Sequence, residues 1–215
     1  MGQDCALCGV RSDAHLICAA CDASLPRSGP CCVRCAVPLA TRGTCGACIQ
    51  RRSAFDEVHA AFEYRFPVDR LVQRFKFDGD LAIGAWLAHR LGDRLAHAPL
   101  PDLLVVPPLS SAGLRKRGFN QAIEIARILS ARLGPRLARG ALAKVRDTGP
   151  QHALDARARR ANLRGAFTCR VRLAGESVAI VDDVVTTGAT AEVLADVLAR
   201  AGAGRVSVWA VARTP

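Results

Sequence analysis

The stretch Val178 to Thr190, VAIVDDVVTTGAT, constrains the fold more than any other part of this 215-residue chain. Residues 178–182 are mostly β-branched or small and apolar, which suits a strand buried in a sheet, and the carboxylates Asp182 and Asp183 close the run. Thr186, Thr187 and Gly188 then supply two hydroxyls and a residue free to take positive φ. Residues 189–201 read as a helix with Val193, Leu194, Val197, Leu198 and Ala201 along one face. Strand, acidic pair, hydroxyl-rich turn and helix in that order aim unpaired backbone N–H groups and the positive end of a helix dipole at one point. That point suits a phosphate, while the carboxylates suit sugar hydroxyls or a phosphate-bound Mg²⁺. The stretch carries neither GxxxxGK[ST] nor GxGxxG, so a P-loop and a dinucleotide fingerprint do not compete.

Nine of the ten cysteines lie between Cys5 and Cys48, and Cys169 stands apart. Four Cys-x-x-Cys knuckles, Cys5/Cys8, Cys18/Cys21, Cys32/Cys35 and Cys45/Cys48, supply two complete tetrahedral Zn²⁺ sites. Sequence order groups the first four thiolates and the last four, although the spacing leaves an interleaved pairing open. Cys31 adjoins Cys32 and competes with it as a ligand; the equal spacing of the pairs favours Cys32. Gly9 and Gly46 beside ligands fit tight knuckle turns. So short a segment has too small a core to fold alone, so metal must supply much of its stability. The boundaries expected are 1–52 for a double zinc ribbon and 53–215 for an α/β domain. No apolar run is long enough to span a membrane and no export signal precedes the cysteines, which together point to a reducing, cytoplasmic setting. The formal charge is +11; eight thiolates with two Zn²⁺ lower it to about +7, still favourable to a polyanionic partner.

Past the cysteines, residues 58–66 read as a strand and 68–75 as a helix opened by Pro67. A helix over 81–95 follows, with Leu81, Ile83, Leu87 and Leu91 as core positions. Lys76, between two aromatics, either reaches into a phosphate site or is solvated. Leu103 to Val106 is a further short strand, ending at Pro107-Pro108-Leu109-Ser110. Gly113 to Gly118 places Arg115, Lys116 and Arg117 between glycines, the pattern of a mobile basic loop, and a helix from about Gln121 to Leu133 comes next with Ile125, Ile128 and Leu129 inward. Residues 136–172 hold ten Lys or Arg against two Asp, including Arg157, Arg159 and Arg160, and residues 205–212 alternate as a last strand.

The VDDVVTTGAT turn resembles the phosphoribosyl-pyrophosphate (PRPP) signature of type I phosphoribosyltransferases. With PLSSAGLRKRGFNQA, Gln151-His152-x-Leu154, Arg160-x-Asn162-x-x-Gly165-x-Phe167 and the cysteine knuckles, nearly the whole chain resembles the ComF-type competence proteins. The resemblance implies an α/β, type I phosphoribosyltransferase-like (Rossmann-like) parallel sheet with helices on both faces, preceded by a double zinc ribbon, in a family linked to DNA uptake. It implies Mg²⁺-PRPP held by Asp182 and Asp183 on the ribose and by Val184, Val185, Thr186, Thr187, Gly188, Ala189 and Thr190 around the 5′-phosphate. Pro107 and Pro108 would form the pyrophosphate loop, with a cis bond between them costing about 0.5–1 kcal/mol, and Arg115, Lys116 and Arg117 a flap over the pyrophosphate. The basic 136–172 segment would form a hood accepting an anionic partner, with single-stranded DNA the foremost expectation. Two alternatives stand beside PRPP binding in DNA uptake: transfer to an acceptor, with Asp182 and Asp183 catalytic, and a zinc-ribbon docking module for a helicase or another transformation protein.

Overall fold

The computed structural model describes residues 2–12, 15–146 and 162–215. Gln151, His152, Leu154, Arg157, Arg159 and Arg160 lie outside the described residues.

The first fifty residues wrap two thiol clusters. Strands β1 (Gln3–Asp4) and β2 (Arg11–Ser12) pair antiparallel, and short helices α1 (Ala19–Ser24) and α2 (Gly46–Gln50) carry Cys21 and Cys48. The pairing is sequential: Cys5, Cys8, Cys18 and Cys21 converge in one cluster, and Cys32, Cys35, Cys45 and Cys48 in the other. Cys31 stays outside, its backbone bridging to Pro38. Gly9 takes a left-handed φ of 71°, whereas Gly46 simply opens α2 and makes no such turn.

Five parallel strands form the main sheet in the order β3 (Glu57–Glu63), β9 (Arg205–Arg213), β8 (Ser177–Val185), β4 (Leu103–Val105) and β5 (Arg136–Leu137). Strands β8 and β9 lie between neighbours and are covered on both faces, so their sequences read as continuous apolar runs rather than alternation. Strand β8 does not stop at the acids but continues through Asp182 and Asp183 to Val185, because its ladder with β9 runs on to Arg213. One face carries α3 (Val68–Gln73), α4 (Leu81–Leu95) and α6 (Gln121–Leu133), packed on Phe62, Leu104, Val181 and Trp209. The other carries α7 (Ala189–Arg200), packed on Val178, Ile180 and Val208 beside a two-stranded antiparallel unit of β6 (Leu142–Lys144) and β7 (Phe167–Cys169). The expected fold class, a parallel α/β sheet with helices on both faces behind a cysteine-rich segment, is the one observed.

Several local expectations change. Strand β3 ends at Glu63, and Phe66 is exposed. Leu81 opens α4 and is exposed, because Asp80 caps the helix through Ile83 N at 3.1 Å and leaves that first turn outside the core; Ile83, Leu87 and Leu91 are fully buried. Helix α3 does not turn directly into α4. It runs into a π-helical turn, Arg74–Asp78, closed by Gly79 at φ 70°.

The topology fixes where a ligand fits. From β4 the chain passes to β5 on one side, and later to β8 on the other, so the carboxyl ends of β4 and β8 flank the point where the strand order reverses. Open parallel sheets bind ligands in the crevice at that point.

Candidate functional site

At the end of β8 two local contacts shape the backbone. Asp183 N donates to Asp182 Oδ1 at 2.9 Å and Val184 N donates to Asp183 Oδ1 at 2.7 Å. After Val185 the chain turns through Thr186 and Thr187, whose Oγ1 accepts from Ala189 N at 3.3 Å, and enters α7 across Gly188 at φ 75°. An L side chain is strained at that φ, which is why glycine stands at this point of the turn. The turn, Asp182, Val184, Val185, Ala189 and Thr190 line a cleft of about 410 Å³ together with Tyr64, Gln73, Lys76 and Phe77.

A second lobe of about 320 Å³ shares Lys76, Asp182 and Thr190 with the first and adds Asp183, Pro107, Pro108, Arg117, Lys144 and Phe167. The loop after β4 and the loop after β8 therefore face one continuous space, although some 70 residues separate them in sequence. Lys76 is the link between the lobes: its Nζ lies 2.7 Å from Asp183 Oδ2. Both side chains are largely buried there, so this lysine is neither solvated nor idle. Burial, followed by repulsion from Asp183, pushes the Asp182 carboxyl up to about 7, against the attraction of Lys76.

Two expectations about the second lobe are corrected. Among the described residues the only cis peptide bond is Phe66–Pro67, so the bond between Pro107 and Pro108 is trans. Trans is the lower-energy state of an X–Pro bond, and Asn120 Nδ2 donates to the Pro107 carbonyl at 3.1 Å in that geometry. The basic segment is a helix and not a loop: α5 (Ser111–Arg117) starts at Ser110, whose Oγ accepts from Gly113 N at 3.1 Å, and ends at Gly118 with φ 76°. Arg117 lines the cleft and Arg115 is exposed.

Asn120 and Gln121 hold this side of the cleft together. Asn120 Oδ1 caps α6 through Ala122 N at 3.0 Å. The buried Gln121 donates from Nε2 to the Lys76 carbonyl at 3.3 Å and accepts from Arg117 Nη1 at 3.2 Å. Neither residue carries a role that sequence reasoning found, and Lys144, Tyr64 and Phe77 were likewise missed. Asn120 was open to recognition, since a capping side chain directly before an apolar-periodic run is a local signal; for Gln121 no local pattern encodes the bond to the Lys76 carbonyl, 45 residues away.

The thiol clusters fit zinc. In each, all four Sγ atoms lie within 4.8 Å of one another, and the crossing pairs Cys8/Cys18 and Cys35/Cys45 stand at 3.8 and 3.6 Å. A tetrahedron with Zn–S bonds of about 2.3 Å has edges of about 3.8 Å. Each cluster also receives one backbone donor at 3.3 Å, from Cys18 N to Cys5 Sγ and from Cys45 N to Cys32 Sγ, the kind of contact that favours a thiolate. The two clusters are an internal repeat, each ligand of the first lying 27 positions before its counterpart in the second. That identity of spacing accompanies the sequential pairing, which sequence order suggests.

Two cysteine tetrads in the first fifty residues and a parallel sheet with a polar cleft at its switch point define a zinc-ribbon α/β protein, and comparison with known proteins agrees. Residues 1–49 match the double zinc ribbon domain family. The chain is 35% identical over 205 residues to DNA utilization protein YhgH of Salmonella typhi, and 34% identical over 205 residues to the protein of that name in Escherichia coli (strain K12). Competence protein F of Haemophilus influenzae is 32% identical over 207 residues, and each of these alignments covers 92% of this chain and 90% of the relative. The chain belongs to the ComF-type competence protein family. Among solved structures, purine phosphoribosyltransferase from Pyrococcus horikoshii Ot3 aligns with a TM-score of 0.34 and 20% identity, covering 57% of this chain and 67% of that one.

Proposed function

We propose that this protein binds PRPP, or a related phosphorylated ribose, with Mg²⁺ in the two-lobed cleft, and acts in DNA uptake by handling single-stranded DNA. The observation that carries the ligand half is the convergence of the Asp182–Thr190 segment, the Pro107–Pro108 loop, Lys76 and Arg117 on one space at the sheet's switch point. In that space the turn and the start of α7 take the 5′-phosphate, because first-turn N–H groups lack intrahelical acceptors. Asp182 and Asp183 offer the hard oxygen donors that Mg²⁺ and ribose hydroxyls require, and Lys76, Arg117 and Lys144 offer cations to a pyrophosphate. Mg²⁺ would neutralise charge on the pyrophosphate once bound. Relatives named for DNA utilization and competence support the DNA half, as does the excess of basic residues.

Thermal unfolding with and without Mg²⁺-PRPP tests the ligand. A ligand at 100 times its Kd stabilises by about 2.7 kcal/mol, so a clear rise in Tm at millimolar PRPP is expected, and no rise would overturn the proposal. Fluorescence anisotropy of a labelled single strand tests the DNA half. Affinity should fall by orders of magnitude from low to physiological salt, and binding insensitive to salt, or absent, would contradict it.

A further inference from the structure

Arg213 ends β9, and its guanidinium joins two segments that lie far apart in the chain. Its Nε donates to the carbonyl of Cys35 in the second thiol cluster at 3.0 Å. Its Nη1 donates to the carbonyl of Val185, the last residue of β8, at 3.3 Å, to that of Thr186 in the turn beyond it at 2.5 Å, and to that of Thr214. Because a trans peptide sets its N–H opposite its C=O, holding the Thr186 carbonyl turns the Thr187 N–H away from Arg213. The guanidinium thus decides where a donor of the phosphate turn points.

Other contacts tie the same two places. Glu192, in the first turn of α7, accepts from Ala54 N at 3.2 Å and pairs with Arg51 at 3.5 Å, and Arg51 directly follows the helix that carries Cys48. The Phe55 ring lies 4.0 Å from the position a Cβ would occupy on Gly188. Cys35, Cys48, Gly188, Glu192 and Arg213 enclose a shared cavity of about 160 Å³. The first cluster meets the cleft elsewhere: Arg74 donates to the Ala6 carbonyl at 2.6 Å, from the turn that bears Lys76.

We infer that Arg213 is a positioning residue coupling the second metal centre to the phosphate turn, so that zinc in the Cys32, Cys35, Cys45 and Cys48 tetrad and a sugar phosphate in the cleft strengthen each other's binding. For its ligand this rests on the function proposed above. Coupling between two binding sites is reciprocal, which makes it measurable from the metal side.

The experiment is zinc release from the full chain to a colorimetric chelator, with and without saturating ribose 5-phosphate. Wild type should release one of its two ions at least about fivefold more slowly when the sugar phosphate is bound, and the other at an unchanged rate. Arg213→Ala should abolish that protection while still holding two ions, and Arg213→Lys should restore part of it. Sugar phosphate that binds but protects neither ion, or protection that survives in Arg213→Ala, overturns the inference. If wild type binds no ribose 5-phosphate, the proposed ligand fails while the coupling is still decided by hydrogen exchange. Faster exchange of the 186–191 amides in Arg213→Ala then supports the coupling, and unchanged exchange overturns it. Should Arg213→Ala not fold, Cys45→Ser is compared with Cys18→Ser: faster exchange at 186–191 in the former alone supports the coupling, and an equal effect in both overturns it.

Discussion

Lys76 and Asp183 meet at 2.7 Å across 107 positions of sequence, and beside them Asp182 holds its proton up to about 7. Burial and the neighbouring Asp183 carboxylate keep that proton on Asp182, so its state depends on what enters the cleft. Removing the lysine leaves the buried Asp183 without its ion-pair partner. Lys76→Ala is expected to lower stability by about 1–3 kcal/mol in urea denaturation and to weaken Mg²⁺-PRPP binding by about tenfold or more in titration. Asp182 gives a pH signature of definite sign. Its folded pKa of about 7 lies above the ordinary carboxylate value of 3.8, so the folded state keeps a proton that the unfolded chain releases, and stability falls as pH rises between those values. Asp182→Asn should therefore show a Tm that gains on wild type from pH 5 to pH 8. Mg²⁺-PRPP, which needs the carboxylate, should bind wild type more tightly as pH rises through 7 and level off above it.

Between residue and sheet, the elements that shape the cleft are short and irregular. The π-helical turn that carries Lys76 is held by packing: a Cβ on Gly84 of α4 would stand 2.3 Å from the buried Phe75 ring, and Phe75 in turn meets Phe119 at 5.6 Å between centroids. Gly84→Ala is expected to cost about 1–3 kcal/mol by displacing that ring, and to weaken ligand binding by moving Lys76, whereas an unchanged affinity would show that the turn does not position the lysine. Long regular elements were legible in sequence; α4 and α6 run over the residues their apolar periodicity marks. Helix α5 was not, because Gly113 and Gly118 punctuate a run of only seven residues and conceal a capped helix as a loop. The turn after β8 was legible because strand, acids, hydroxyls and glycine are contiguous. The bonds of Lys76 to Asp183, of Gln121 to the Lys76 carbonyl and of Arg213 to the Cys35 carbonyl were not, because these partners lie 107, 45 and 178 residues away and no local pattern encodes them.

For the molecule as a whole, the cysteine-rich segment and the sheet share one set of contacts around the cleft. Among the described residues no helix is long and apolar enough to cross a membrane. Arg74 to Ala6 on one side and Arg213 to Cys35 on the other place both thiol clusters against elements that line the cleft. Stripping zinc with a strong chelator should accordingly lower the Tm of the whole chain and not merely unfold the first fifty residues, as read by the near-ultraviolet signal of the buried Trp209. The topology, with β4 and β8 adjacent at the reversal of strand order, is the reason the Pro107 loop and the Asp182 segment face each other at all. The central claim is that this crevice is a Mg²⁺-dependent site for a phosphorylated ribose. Calorimetric titration of PRPP into the zinc-loaded chain at pH 8, with Mg²⁺ and with Mg²⁺ removed by chelation, tests it most directly, alongside Asp183→Asn. Saturable one-site binding that needs Mg²⁺ and is lost or weakened by about tenfold or more in Asp183→Asn is the predicted result. No heat of binding to the folded wild-type chain, or binding indifferent to both Mg²⁺ and Asp183, would contradict it.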